Sequence, residues 1–321
     1  MKICLIKTSS MGDILHTLPA LTDAQYAIPH LQIDWVVEEN FAEIPHWHSA
    51  VNQIIPIAIR RWRKHLLESS TWQQWNHYRY QLQQTEYDTV VDAQGLIKSA
   101  LFATYLAQGK KYGYDRHCVR EPLASLFYDN VFFIDYQQHA VERIRKLMAN
   151  ALNYPLPSTI GDYGIAQHFL PSSTIQSNYV LFIHATTRSN KFWTIEQWRK
   201  TADFFATLNM QVHLPWGNNA EKAQAEKIAQ GLSHVKVLPK MNLQQLATEI
   251  AQSKGVISVD TGLAHLTAAL AKPNITLYGA TDPKLIGTYG INQYHIQRAT
   301  MEQIQAQDVI SLIQQIRLFE S

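Results

Sequence analysis

A chain of 321 residues with 46% hydrophobic side chains is long enough for about two domains, each with its own core. Lys plus Arg (28) nearly balances Asp plus Glu (26), so overall charge does not mark a nucleic-acid binder, and any basic contact surface must be local. Two cysteines, Cys4 and Cys118, lack framework or metal-ligand spacing, and no apolar run suffices for a secretory signal or the roughly 18 residues of a membrane span.

The chain opens on an apolar strand, KICLIK (2 to 7), which runs into TSSMGD (8 to 13). Ser10 and Asp13 have the spacing of a helix capping box, in which the carboxylate reaches back to the Ser10 amide. A cap leaves Gly12 unexplained, because glycine inside a helix costs about 1 kcal/mol relative to alanine. Close access to this backbone is the second reading. A carboxylate where a dinucleotide fold would place G-x-G-x-x-G repels a pyrophosphate but suits a general base acting on a hydroxyl. Cap and base stay open here, and one residue can be both. Pro19 predicts a kink or restart of the helix, with Thr17 as a second cap.

Strands IDWVV (33 to 37), QIIPI (53 to 57) and YDTVVDA (87 to 93) follow, with helical patterns between them, as in βαβ units. After QIIPI comes IRRWRKH, where Arg60, Arg61, Arg63 and Lys64 put four cations within five positions. They read as a solvated face or as the contact for an anionic partner: nucleic acid, an acidic sugar or an anionic membrane. Residues 150 to 178 carry three prolines, two glycines and no sustained period, which makes them the linker.

The second half repeats the alternation with YVLFIHA (179 to 185), QVHLP (211 to 215), VKVLP (235 to 239), GVISVD (255 to 260) and NITLYG (274 to 279). Two doubly wound α/β domains follow, with ligands expected at the carboxyl ends of the strands. At one such end, ATTRSNKFW offers two hydroxyls and Lys191; Thr194 with Gln197 predicts a capping box, and Trp193 with Trp198 a hydrophobic staple. At another, DTGLAH places Asp260 at the strand end, Thr261 as a cap, Gly262 beside the first free amides and His265 one turn on. This turn reads as an ordinary strand-to-helix connection or as a diphosphate site, and the mirrored position in the first half favours the site. The tail places Val309, Leu312, Ile313 and Ile316 on one helical face. D-x-D, G-x-x-x-x-G-K-[ST], G-x-S-x-G and H-E-x-x-H are all absent, and His46 with His48 has no acidic or thiol partner, so no metal is expected.

Taken together, KTSSMGDILHTLPALTDA, IDWVVEE, IPIAIRRWRK, DAQGLIKSA, REPLASLFY, HATTR, LPWG, SVDTGLAHLTAAL and YGATDP resemble the lipopolysaccharide heptosyltransferase I family, from the first residue to about residue 290. The resemblance implies a GT-B glycosyltransferase: two Rossmann-like domains facing a cleft, an acceptor domain over 1–155, a linker over 156–178 and a donor domain over 179–321, whose last helix could pack back on the first domain. It implies metal-independent, inverting transfer of L-glycero-D-manno-heptose from ADP-heptose to the inner Kdo of Kdo2-lipid A, without a cofactor or nucleic acid, peripheral on the cytoplasmic face of the inner membrane. By motif, Asp13 is the catalytic base. Thr186, Thr187, Lys191, Glu221, Met241, Asp260, Thr261, Gly262 and His265 fall on the donor side. Lys7, Arg60, Arg61, Arg63, Lys64 and Arg120 fall on the acceptor side. Glu221 and Met241 rest on the resemblance alone. Two alternatives are a heptosyltransferase II, acting on an already heptosylated core, and a nucleic-acid-binding protein using residues 60–64.

Overall fold

The computed structural model of the chain describes residues 1–169 and 178–318. It divides into two units, Met1–Ile165 and Ala166–Ser321. The division falls inside the stretch 156–178 read as a linker, of which residues 170–177 lie outside the described residues.

The first unit is built on β1 (Lys2–Ile6), β2 (Gln32–Glu38), β3 (Val51–Ile57), β4 (Glu86–Asp92), β5 (Gln108–Tyr114) and β6 (Asn130–Phe132). They pair in parallel in the order β3-β2-β1-β4-β5-β6. The second unit repeats the pattern with β7 (Tyr179–Ile183), β8 (Gln211–Leu214), β9 (Val235–Val237), β10 (Val256–Val259), β11 (Asn274–Tyr278) and β12 (Gln293–Gln297). Their order is β12-β11-β10-β7-β8-β9, again all parallel. Counting from the first strand of each unit, both sheets have the doubly wound order 3-2-1-4-5-6. The two-domain α/β class expected from the alternating pattern is therefore correct. Sequence reading missed β5, β6 and β12.

Central strands are apolar because helices cover both their faces; Ile3, Cys4, Leu5 and Ile6 of β1 are all fully buried. In the first unit, the helix Leu18–Ala27 starts with Pro19 in its first turn, so the helix Met11–Leu15 ends and a new one begins, as Pro19 predicts. Thr17 does not cap with its side chain; its hydroxyl donates to the Asp13 carbonyl at 2.9 Å. The helix Leu18–Ala27 packs on Ala140–Leu152. Across that seam the buried Arg145 donates from Nε and Nη2 to Asp23 at 2.6 and 3.3 Å.

In the second unit Trp193 and Trp198 meet edge to face at 4.9 Å inside the core, so these tryptophans are structural. Thr194 caps the helix Ile195–Thr207 by accepting from the Gln197 amide at 3.3 Å. The reciprocal half of the expected capping box is absent. The Gln197 side chain instead bridges to the last helix, donating to Gln305 at 2.8 Å and accepting from the Ala306 amide at 2.7 Å. That helix, Ala306–Ile316, buries Val309 and Ile313 in the core of its own unit and packs on Ile195–Thr207. Val309 and Ile313 of its apolar stripe are therefore satisfied within the second unit. Among the described residues no helix is long and apolar enough to cross a membrane.

Candidate active site

Strand order reverses between β1 and β4 in the first unit and between β7 and β10 in the second. Chain leaving these strands at their carboxyl ends forms the crevice where open α/β sheets bind ligands. The residues so placed are Lys7 to Asp13 and Ala93 to Gly95 in one unit, and His184 to Thr187 with Asp260 to Gly262 in the other.

In the first unit the TSSMGD turn is tied down at several points. Gln94 Oε1 accepts from the amides of Thr8 and Ser9 at 2.8 and 3.1 Å and from the Thr8 hydroxyl at 3.2 Å. Trp35 Nε1 donates to the Lys7 carbonyl at 3.0 Å. Asp13 stands half-buried in the short helix Met11–Leu15, and its Oδ2 accepts from the amide and hydroxyl of Ser10 at 2.8 and 3.0 Å. Asp13 therefore does act as a helix-start residue, while its partial exposure leaves it able to meet a ligand. Lys7 is buried and donates to the Ala93 carbonyl at 2.9 Å. Burial pushes its ammonium down from the usual lysine range; the charges of Asp13 and Asp92 oppose that, and those of Arg143 and Arg120 add to it.

Lys7, Asp13, Arg120 and Arg143 thus share one electrostatic neighbourhood. Arg143 was not picked out from sequence, where ERIRK passes for a helix surface. Its guanidinium lies over the Tyr136 ring at 4.1 Å. The four cations in IRRWRK, Arg60, Arg61, Arg63 and Lys64, are all exposed. Arg61 is matched already, through a fork to Glu39 at 2.9 and 2.8 Å and a bond to Gln74 at 2.7 Å. Its charge is spent within the protein.

In the second unit a cavity of about 240 Å³ opens at the strand ends, lined by Thr186 and Thr187 after β7, Trp216 and Glu221 after β8, Met241, and Thr261 after β10. Five of the residues proposed for the donor side therefore meet in one place. The other four lie beside it: Lys191 is ion-paired with the Asp260 carboxylate, Gly262 opens the helix Gly262–Ala269, which Thr261 precedes without the expected side-chain cap bond, and His265 is buried one turn into it. Thr186 Oγ1 donates to the Asp260 carbonyl at 3.3 Å, joining the two turns.

Glu221 and Met241, which periodicity alone would leave on a helix surface and in a loop, both face this cavity. The Glu221 carboxylate accepts from the Gly217 amide at 2.6 Å and from Asn218 Nδ2 at 2.7 Å, which fixes it at the start of the helix Asn219–Ala229. Sequence reasoning also passed over His184 and Trp216, which line the same cavity. The rule that ligands sit at carboxyl strand ends could have found both, since they lie within two residues of the ends of β7 and β8. His184 is fully buried, and burial pushes its imidazole down from the usual histidine range. Free amides of a helix start, a lysine and paired hydroxyls around an apolar-sided cavity suit a nucleotide whose phosphates face the helix. Among the described residues no cluster of three or more His, Cys, Asp or Glu side chains is arranged to hold a metal.

Residues 75–313 match the model of glycosyltransferase family 9 (heptosyltransferase). The chain is 54% identical to lipopolysaccharide heptosyltransferase 1 of Escherichia coli K12 over 91% of its length and 92% of that protein. It is 47% identical to the protein of that name in Pseudomonas aeruginosa, over 92% of this chain and 83% of the other. The solved structure of E. coli heptosyltransferase WaaC with ADP superposes with a TM-score of 0.95 at 52% identity, covering 98% of this chain and 99% of that one. The same enzyme with ADP-2-deoxy-2-fluoro heptose gives 0.93 at 50% identity, covering 98% and 100%.

Proposed function

Since the chain belongs to glycosyltransferase family 9, the heptosyltransferases, we propose that Asp13 and the second-unit cavity carry heptosyl transfer from ADP-heptose to the inner Kdo of Kdo2-lipid A. The protein is a heptosyltransferase of lipopolysaccharide inner-core biosynthesis, and ADP-heptose is its donor. The observation that carries the donor assignment is the cavity where Thr186, Thr187, Glu221, Met241 and Thr261 meet beside Lys191 and the start of Gly262–Ala269. The first acceptor is favoured over a heptosylated one, because type 1 relatives reach 54% identity whereas lipooligosaccharide heptosyltransferase 2 of Haemophilus ducreyi is 25% identical.

In this reading the acceptor hydroxyl oxygen bonds to the anomeric carbon as the bond to the diphosphate breaks, and the configuration inverts. Asp13 takes the hydroxyl proton. ADP departs carrying the charge, which Lys191 and the free amides at Gly262 stabilise. Asp260 holds the Lys191 ammonium in place for that task. Lys7, Arg120, Arg60, Arg63 and Lys64 face the carboxylates and phosphates of the acceptor. Because that acceptor is lipid-anchored, the enzyme works as a peripheral protein on the cytoplasmic face of the inner membrane.

Purified protein is expected to transfer heptose from ADP-heptose to Kdo2-lipid A and not to its heptosylated product. Excess EDTA is expected to leave the rate unchanged, since the lysine and amides neutralise the diphosphate. Activity on the heptosylated acceptor alone would move the chain to the second step, and a loss restored by magnesium would sink the metal-free reading.

A second expectation isolates the donor cavity. Glu221→Gln keeps an oxygen for the Gly217 amide but loses the charge that strengthens bonds to ligand hydroxyls, so the Kd for ADP is expected to rise about tenfold. Calorimetry checks this, with circular dichroism as the folding control. Unchanged ADP affinity would place the nucleotide elsewhere.

A further inference from the structure

An apolar groove of about 420 Å³ lies on the first unit; Ile59, Trp62, Leu66, Trp72, Trp75 and Phe102 line it, with Arg63 among them. Its floor is rigid, because Trp62 and Trp75 pack edge to face at 5.8 Å and Trp75 meets Phe102 the same way at 5.7 Å. Its rim is exposed: Leu66 is 56% accessible, Trp72 55% and Leu67 wholly so. So many large apolar side chains together on a surface mark a place where something apolar docks. Trp72 Nε1 donates to the Leu66 carbonyl at 2.9 Å, so the rim loop is fastened to the helix Ser69–Gln83 and the indole N–H is already satisfied.

Charge around the groove selects the partner. Arg61 is cancelled by Glu39, and His65 is held by Glu68 at 2.6 Å. Arg63 and Lys64 remain exposed as a positive surplus beside the apolar side chains, while Arg60, also exposed, lies over the Phe41 ring at 5.6 Å and near the Glu38 carboxylate. Apolar side chains flanked by cations complement an anionic lipid surface, with hydrocarbon for the first and phosphates for the second. Tryptophan, with an apolar body and a polar edge, suits the boundary between them.

We propose that this groove and its basic rim dock the first unit on an anionic lipid bilayer, with Leu66, Leu67 and Trp72 entering the headgroup boundary and Arg60, Arg63 and Lys64 meeting the phosphates. The inference rests on the reading that the acceptor is lipid-anchored, and it assigns the surface by which the enzyme reaches it.

Co-sedimentation with vesicles tests it, using phosphatidylcholine alone and phosphatidylcholine with about one-third phosphatidylglycerol. The wild type is expected on the anionic vesicles and hardly on the neutral ones. Leu66→Gln with Leu67→Gln is expected to lower the partition coefficient about tenfold or more, since two leucines no longer enter hydrocarbon. Quenching of tryptophan emission by brominated acyl chains is expected in the wild type and reduced in Trp72→Phe.

Transfer to a water-soluble, de-acylated acceptor is expected to be the same in the double leucine variant as in the wild type. If the wild type itself fails in that transfer, the functional reading falls and the docking result stands on its own. Docking is overturned if the leucine variant sediments like the wild type, if neutral vesicles bind equally well, or if only dispersed single lipids bind.

Discussion

Asp13→Asn is expected to lower the turnover number by about 10²-fold or more while the protein stays folded. The amide has nearly the shape of the carboxylate, and its oxygen can still accept from the Ser10 amide, as Asp13 Oδ2 does at 2.8 Å. The turn does not depend on that bond alone. Gln94 holds Thr8 and Ser9, Trp35 holds Lys7, and the Ile14 amide donates to the Ser10 carbonyl at 2.9 Å. Loss of the charged half of one cap costs about 1 kcal/mol. A neutral amide cannot take a proton from the acceptor hydroxyl, so the rate should fall although ADP affinity is kept. Steady-state kinetics with both substrates, together with a melting curve, decide the matter. If Asn keeps near-normal turnover and only the melting temperature drops, Asp13 is a helix-start residue and no more.

Asp23→Ala is expected to be the most damaging change away from the chemistry. It would strand the Arg145 guanidinium, which is 1% exposed and has its Nε and Nη2 on Asp23. Glu142 at 3.0 Å and the Pro157 carbonyl at 3.4 Å would remain, but the charge would lose its closest buried partner. Removing one member of a buried ion pair costs about 3 to 5 kcal/mol, or roughly 10 °C in the melting temperature of a unit this size. The double variant Asp23→Leu, Arg145→Met should recover most of that, because no uncompensated charge is left. Thermal melts of both variants test the pair. If Asp23→Ala melts within about 2 °C of the wild type, the pair is not what joins the two helices.

What the sequence disclosed of the fold follows from where each strand sits. β1, β2, β4, β7, β10 and β11 are covered on both faces and so must be apolar, which made them plain. β5, with two glycines and two lysines in QGKKYGY, lies toward the margin of its sheet, while the three-residue β6 and the half-polar β12, QYHIQ, are the edges themselves. Their pairing is fixed by the neighbouring strand rather than by an apolar pattern of their own, so periodicity could not reveal them.

For the site, motifs at strand ends were legible because the chemistry is local: DTG opens a helix and Lys191 follows a strand. Convergence was not legible. Lys191 meets Asp260 across 69 positions, and Gln94 reaches Thr8 across 86. Arg61 looked available until the fold brought Glu39 to it, and Arg143 carries no motif of its own: only the fold sets it beside Lys7 and Tyr136.

The bridge from Gln197 to the last helix bears on how the protein is born. Domains emerge from the ribosome in order, and each can finish folding only when its whole core is outside the exit tunnel. The first unit is continuous in sequence, so its sheet can close while the rest is still being translated. The second cannot do the same. Trp193, two residues past Lys191, donates its indole N–H to the Ile304 carbonyl at 2.8 Å, and Val309 and Ile313 complete the core around it. The donor half therefore matures only once the helix Ala306–Ile316 has left the exit tunnel, and a ribosome stalled within that helix would leave a nascent chain with its first unit folded and its nucleotide cavity unfinished.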